Sequence, residues 1–170
     1  MKLIEAMKKI KELQVKAEEL RRKVAQYHAD LNYETPVYGN DQKKKIDEWL
    51  QGHMDIVKEI LKLRISVQKT NLETQVTIEI GEKQIKKTIA EWIHRRRDLA
   101  NLDRSIWEKL TDKGLKEGQM RDSSQEIIDV KIRRYYNPEE RDKFLDIYSQ
   151  EPSIIDRTLE VTNAVTDVIE

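Results

Sequence analysis

Arginine and lysine residues lie next to aromatic residues at several places in the sequence. The runs 94–97 (His-Arg-Arg-Arg), 86–87 (Lys-Lys) and 131–136 (Lys-Ile-Arg-Arg-Tyr-Tyr) are the clearest of them. Guanidinium groups bind phosphate or carboxylate through two parallel hydrogen bonds, and aromatic rings stack on nucleobases. If these runs converge in the fold, they predict a site for a small anionic ligand of nucleotide type.

Two predicted helices place polar residues on faces that should be apolar. Arg96 and Asp103 fall on the apolar stripe of a helix over 88–112, and Arg64 and Asn71 fall on or beside the stripe of a helix over 41–71. A buried unpaired charge costs several kcal/mol, so such groups either pair or line a site. The predicted ligand-binding residues are Arg64, Asn71, Trp92, Arg96, Arg97, Asp103, Arg133, Arg134 and Tyr136.

The alternative interpretation is purely structural. Arg95 and Arg97 would then be solvated, while Arg96 and Arg64 would pair with Asp98, Asp103 or carboxylates of a neighbouring chain. Inward charges of this kind can set helix register and oligomeric state.

Motifs for catalysis and for metal binding are not found in the sequence. The spacing Glu91-x-x-His94 is the single metal-like pair, whereas a di-iron bundle needs two such motifs and two further glutamates. There is no cysteine and no serine nucleophile elbow, and five scattered glycines cannot form a phosphate loop. We therefore expect neither an enzyme nor a bound metal or cofactor.

Composition narrows the classes of partner. Lys+Arg and Asp+Glu number 32 each, so the balanced net charge gives little attraction towards nucleic acid. No apolar run approaches the roughly 18 residues of a membrane span, and the beginning of the chain shows no signal-peptide pattern. The absence of cysteine suits the cytoplasm, so we expect a cytoplasmic protein that does not enter membranes.

Hydrophobic periodicity predicts a mainly α fold organised as a single domain over 1–170. A heptad pattern of apolar residues indicates a long helix over 2–33, and a second helix follows over 41–71. Strict alternation around Gly81 predicts a β-hairpin over 75–87, followed by the helix over 88–112.

The last part of the chain begins with another alternating stretch. It predicts a strand over 126–136 that pairs with the hairpin, followed by C-terminal helices over 138–170 that are interrupted at Pro152. The expected architecture is a long antiparallel helical or coiled-coil bundle with a small antiparallel sheet of about three strands.

Several short motifs resemble a septicolysin-like family of short helical proteins from bacteria and phages. The matching segments are Gln68-Lys69-Thr70-Asn71, the Gly81 hairpin, Ile89-Ala90, Arg97-Asp98-Leu99, Val130-Lys131-Ile132, and Asp156, Leu159 and Asn163 near the end. The hairpin turn and the longer region 111–126 depart from the family pattern. The resemblance implies a helical, oligomeric fold, and it implies no established activity.

Two functions are consistent with these observations. The first is a non-enzymatic homo-oligomer that captures a small anionic nucleotide-type ligand. A phage-encoded protein of this kind could act in the cytoplasm of the bacterial host as a sponge for an immune signal. The second is a structural coiled-coil scaffold without a small-molecule ligand.

Overall fold

The computed structural model describes all of residues 1–170, and most of them are helical. The elements in chain order are α1 (Leu3–Tyr27), α2 (Gln42–Glu73), β1 (Gln75–Ile80), β2 (Lys83–Thr88), α3 (Ile89–His94), a π-helical turn (Arg95–Leu99), α4 (Ala100–Trp107), β3 (Gly118–Arg121), β4 (Ile127–Val130) and α5 (Pro138–Val165). No helix combines the length and the apolar character that crossing a membrane requires.

These elements form two compact units. The first consists of Met1–Gln75, Thr88–Ala90 and Leu159–Glu170, and the second consists of Val76–Lys87 and Glu91–Thr158. The single-domain organisation stays a prediction.

An antiparallel pair of helices, α1 and α2, dominates the first unit. The Lys9 ammonium lies 2.6 Å from the Glu59 carboxylate near one end of the pair, and the rings of Tyr27 and Trp49 lie 5.9 Å apart near the other. Between them, a Cβ at Gly52 would lie 3.4 Å from Leu20 Cδ1, so a glycine lets the helices approach closely. Residue numbers rise along α1 as they fall along α2, which defines the antiparallel direction.

The predicted heptad face of α1 is the face that the helix buries. Leu3, Ala6, Leu13 and Ala17 are all buried, as their seven-residue spacing predicts. The helix nevertheless ends at Tyr27 rather than at residue 33, because the His28 ring bonds back to the last carbonyl groups. The helix over 41–71 is confirmed within two residues, whereas the coiled-coil bundle stays a prediction.

The two ends of the chain are joined within the first unit. Lys2 and Asp167 form an antiparallel bridge, in which the Leu3 N–H donates to the Thr166 carbonyl at 2.9 Å. The Lys2 ammonium lies 2.8 Å from the Asp167 carboxylate. The hydrogen bond from Lys2 holds the pKa of the Asp167 carboxyl below its usual value. The buried Thr70 hydroxyl completes the contact by accepting from the Ile169 N–H.

This bridge predicts a pH-dependent contribution to stability. Folding lowers the pKa of Asp167 below the value of about 3.9 that an aspartate has in an unfolded chain. The stabilisation is therefore fully present above that unfolded pKa and is lost as the pH falls through the lower pKa of the folded state. Lys2→Met should return the pKa of Asp167 towards its usual value in a carboxyl ¹³C NMR titration. The control variant Lys8→Met, on the same helix, should leave the titration of Asp167 unchanged. An unaltered titration in Lys2→Met would contradict the role of this bridge.

Two separate β-hairpins lie in the second unit, so the prediction of one three-stranded sheet is wrong. The hairpin of β1 and β2 is confirmed, with a two-residue turn in which Gly81 and Glu82 both have positive φ. The predicted strand over 126–136 is reduced to β4, and its partner is β3 rather than the first hairpin. The Asp122 carboxylate accepts from the Ser124 and Glu126 N–H groups and so stabilises a tight local turn between β3 and β4.

Helix α5 is continuous through Pro152, where the sequence predicted an interruption. Pro152 cannot donate the hydrogen bond that a helical residue normally makes to the carbonyl four residues earlier, which costs about 3 kcal/mol. The flanking residues Glu151 and Ile155 are 3% and 0% exposed. Tertiary contacts on both sides of the proline therefore outweigh its local preference.

Gly81 offers a direct test of the contact between the first hairpin and α5. At φ +55° an alanine would carry the left-handed backbone cost of about 1–2 kcal/mol. The added Cβ would also lie 2.7 Å from Ile147 Cδ1. Overpacking at this contact should lower the free energy of unfolding of Gly81→Ala by about 1–3 kcal/mol more. Gly114, at φ +70° with open space around it, is the matched control that carries the backbone cost alone. If Gly81→Ala and Gly114→Ala lower the free energy of unfolding equally in urea denaturation, Ile147 moves aside without an energetic cost.

Candidate functional site

A cleft of about 640 Å³ lies in the second unit and is the main candidate site. Its walls come from the first hairpin, from the helix that contains the π turn, and from the N-terminal half of α5. The lining residues are Ile80, Gly81, Lys83, Ile85, Lys87, Trp92, Arg95, Asp103, Asn137, Glu139, Glu140, Lys143, Phe144, Ile147, Tyr148 and Glu151.

At one end of the cleft, Arg95 binds two carboxylates. Its Nε and Nη2 atoms donate to the two oxygens of Glu151, each at 2.7 Å, and Nη1 donates to Asp103 at 2.5 Å. Glu151 is almost completely buried, whereas Asp103 is about half exposed. The hydrogen bond to Glu151 raises the pKa of Arg95 above its ordinary value, burial acts in the opposite direction, and Asp103 adds to the rise. The guanidinium is therefore a permanent cation with its fork already engaged.

The π turn brings Arg95 and Asp103 onto one face. The Ala100 N–H donates to the carbonyl of Arg95, five residues earlier, instead of to the residue four earlier. On an unbroken α-helix these two side chains, eight residues apart, would point about 80° away from each other. The extra residue of a π turn makes the spacing equivalent to seven, which brings the directions within about 20°. Such turns are often found at functional sites.

Two rings of an aromatic stack, those of Phe144 and Tyr148, line the cleft. The rings of Trp107 and Phe144 lie 4.5 Å apart and nearly parallel, and Tyr148 continues the stack at 5.9 Å from Phe144. The Arg95 guanidinium lies 6.0 Å from the centre of the Tyr148 ring. Burial, followed by the charge of Asp103, raises the pKa of the Tyr148 hydroxyl, so this residue stays neutral near pH 7.

Charged side chains of both signs lie around the cleft. Lys83, Lys87 and Lys143 make no ion pair or side-chain hydrogen bond within the chain, so all three ammonium groups can accept a ligand. Glu139 and Glu140, in the first turn of α5, supply carboxylates that can accept hydrogen bonds. The cleft can therefore bind a molecule that carries both an anionic group and hydrogen-bond donors.

Two of the predicted site residues, Trp92 and Asp103, lie at this cleft. Trp92 is fully buried, and its indole N–H donates to the Val76 carbonyl at 2.9 Å, so its role is to fix α3 against β1. Arg96 does not line the cleft, because it pairs with Asp156 on the exterior at 2.6 Å. Arg97 is exposed and donates to the His94 ring at 3.1 Å.

Three further predicted residues, Arg133, Arg134 and Tyr136, line a separate groove of about 310 Å³. The guanidinium of Arg134 donates to both oxygens of Asp112, at 2.7 and 2.8 Å. This bidentate pair raises the pKa of Arg134 and lowers that of Asp112. Arg133 remains exposed and unpaired. The predicted basic residues are thus divided between surfaces rather than gathered in one site.

Arg64 and Asn71 both lie on α2 in the first unit. Arg64 is exposed and Asn71 is half-buried, and neither is among the residues that line the cleft. The prediction that Arg64 and Asn71 share one site with residues of the strand over 126–136 is therefore not supported by the residues that line the cleft or the groove.

Several cleft residues are absent from the predicted ligand-binding set, above all Glu151, Lys83 and Lys143, whereas Arg95 and Lys87 lie in the basic runs 94–97 and 86–87 without having been chosen from them. An unbroken helical projection selects Arg96 as the inward residue, and the π turn has no recognisable sequence signal. Glu151 precedes a proline, which suggested the end of a helix rather than an anchoring residue. The alternating Lys83, Ile85 and Lys87 did carry a signal, because alternate residues of a strand share one face.

Arg95 and Glu151 should behave as a coupled pair in unfolding measurements. Arg95→Met leaves the buried Glu151 carboxylate without its bidentate partner, and breaking such a pair typically costs about 3–5 kcal/mol. The double variant Arg95→Met/Glu151→Met removes both charges and should recover most of that loss. Arg96→Met is the matched control, because it breaks an exposed pair worth less than about 1 kcal/mol. Equal losses for Arg95→Met and Arg96→Met in urea denaturation would contradict the structural importance of the pair.

Comparisons with known proteins do not assign the chain to a family. No protein-family model matches the sequence, and no curated protein or solved structure is significantly similar to it. The resemblance to the septicolysin-like family therefore stays a prediction.

Proposed function

We propose that the protein is a non-enzymatic, homo-oligomeric binding protein that captures a small anionic nucleotide-type ligand in the cleft of the second unit. The observation that carries this proposal is the arrangement of Lys83, Lys87 and Lys143, which have no partner in the chain, around the stacked rings of Phe144 and Tyr148. A volume of about 640 Å³ lies within the usual range for small-molecule sites.

Each part of a nucleotide has a complementary group in the cleft. A planar base can stack beside Phe144 or Tyr148, as bases do on exposed aromatic rings. The lysine ammonium groups act as point charges for phosphate. Asn137, Glu139 and Glu140 can bind the exocyclic amino groups and hydroxyls of a base and a ribose. The mixture of charges favours a small ligand over a polyanion such as nucleic acid, which the acidic residues would repel.

The proposed activity is capture rather than turnover. A protein that holds a signalling nucleotide lowers its free concentration by mass action, and this effect requires affinity alone. If the chain is phage-encoded, as its motif resemblance suggests, we propose that it serves as a sponge for an immune signal in the bacterial cytoplasm.

A structural scaffold is the second candidate function, and one observation favours it. Arg95, Glu151 and Asp103 satisfy one another within the chain, so the polar groups inside the cleft do not require a ligand. In that case the inward charges serve only to fix how α5 and the π turn pack.

Thermal melts with a ligand panel separate the two functions. Cyclic dinucleotides, cyclic ADP-ribose isomers, linear nucleotides and inorganic phosphate are tested against protein stripped of bound nucleotide. A ligand at 100 times its Kd stabilises the folded state by about 2.7 kcal/mol, which corresponds to a Tm increase of about 5–10 °C for a chain of this size. Mass spectrometry of the protein before stripping identifies any nucleotide that co-purifies.

Variants test whether a shift comes from the cleft. Lys87→Ala/Lys143→Ala should abolish the Tm increase while leaving the ligand-free Tm nearly unchanged, because neither side chain has a partner. Arg134→Ala addresses the separate groove and should leave the increase intact. If Arg134→Ala abolishes the shift and the lysine variant does not, the assignment to the cleft is wrong. Absence of a shift with every ligand would favour the scaffold.

A further inference from the structure

Helix α2 carries a second apolar stripe that no part of the chain covers. It is separate from the face, with Trp49, Gly52 and Glu59, that packs against α1. The stripe consists of six large apolar residues whose exposed fractions run from 45% to 61%: Leu50, Met54, Val57, Leu61, Ile65 and Leu72.

These positions follow a regular helical repeat. Leu50, Leu61 and Leu72 lie eleven residues apart, and Met54 and Ile65 repeat at the same interval. Eleven residues make almost three whole turns, so the stripe runs nearly straight along the helix. At about 100° per residue it is centred roughly 170° around the helix from Trp49, Gly52 and Glu59, which contact α1. The same helix therefore presents one apolar face to its partner in the chain and another to solvent.

The extent of this stripe is unusual for the surface of a monomer. Six half-exposed side chains lie along about 33 Å of the helix, the rise of 22 residues, and Gln68 interrupts them between Ile65 and Leu72. Large exposed apolar surfaces usually mark an interface. A helix pair that buries its full length together with the polar rim approaches the roughly 800 Å² per partner of a standard interface.

The pattern is also symmetric about its centre. Leu61 has apolar residues four positions away on both sides, Val57 and Ile65, and eleven positions away on both sides, Leu50 and Leu72. A single mismatch occurs seven positions away, where Met54 corresponds to Gln68. A stripe with the same apolar pattern in both directions matches a second copy that runs in the opposite direction, as an antiparallel twofold pair requires.

We propose that α2 binds the α2 of a second copy of this chain in an antiparallel pair, with the twofold axis at Leu61. The axis places Leu50 of one copy beside Leu72 of the other and each Leu61 beside its equivalent. The direction rests on the symmetric apolar pattern and not on charge, because the axis at Leu61 separates the two Arg64 guanidinium groups by about 9 Å but brings each to the height of Lys58 of the other copy. This interface specifies the homo-oligomeric state proposed above and does not depend on the ligand.

Single cysteines test the direction, because the natural chain contains none. Under mild oxidation, Leu61→Cys should cross-link to itself, while Leu50→Cys and Leu72→Cys should each remain uncross-linked alone and should cross-link when mixed. Self-cross-linking of both Leu50→Cys and Leu72→Cys would indicate a parallel pair and would overturn the proposed arrangement. No cross-linking at any of the three positions would overturn the interface itself.

Light scattering during gel filtration tests the affinity of the same face. The intact chain should have the mass of a dimer or of a larger assembly built from dimers. Leu61→Glu would bury two equal charges at the axis and should raise the dissociation constant of the pair at least about 100-fold. Val15→Glu is the matched control, because Val15 is 58% exposed on α1 outside the stripe, and it should leave the mass unchanged.

A monomeric intact chain, or a Leu61→Glu variant that associates as tightly as the intact chain, would refute the interface. Either result leaves the ligand-induced Tm increase of the cleft to be judged on its own measurement, so the two proposals can fail separately.

Discussion

The bidentate pair between Arg95 and Glu151 is the interaction on which the second unit depends. Glu151 is 3% exposed, and a carboxylate buried to that degree is strongly unfavourable without a bonded cation, so the Arg95 guanidinium stabilises the fold as long as Glu151 is present. The pair ties the π turn to α5 one residue before Pro152, where the helix has a missing hydrogen bond. The contacts of Glu151 and of the buried Ile155 keep α5 helical at Pro152, a residue that would otherwise bend or end the helix.

This constraint also orders the groups that line the cleft. The N-terminal half of α5 carries Lys143, Phe144 and Tyr148, so fixing the helix at Glu151 fixes their positions relative to the π turn. Trp92 performs the same task for the hairpin through its hydrogen bond to the Val76 carbonyl. Side chains that are set on anchored elements lose little entropy when a ligand binds, and such preorganisation favours affinity.

Local patterns predicted the regular elements well, whereas non-local contacts decided what was missed. The heptad face of α1, the extent of α2 and the first hairpin follow from periodicity and turn chemistry within short segments. The pairing of β4 with β3, and the passage of α5 through Pro152, depend on packing energies that a single segment does not contain. Because of the π turn, Arg95 rather than Arg96 lies at the cleft. The extra residue of the turn changes the helical register by one position, and the sequence contains no pattern that reveals this change.

The same contacts change which residues are the best candidates for function. Arg96 and Arg134 were attractive because they are arginines in basic runs, yet each already binds a carboxylate of its own chain. A ligand at either residue would have to displace that partner, so part of the binding energy would be spent in competition. The cleft lysines and the apolar stripe of α2 require no such displacement, because the folded chain leaves both without a partner. We therefore expect this protein to bind through groups that the folded chain leaves without a partner, rather than through those that looked most reactive in the sequence.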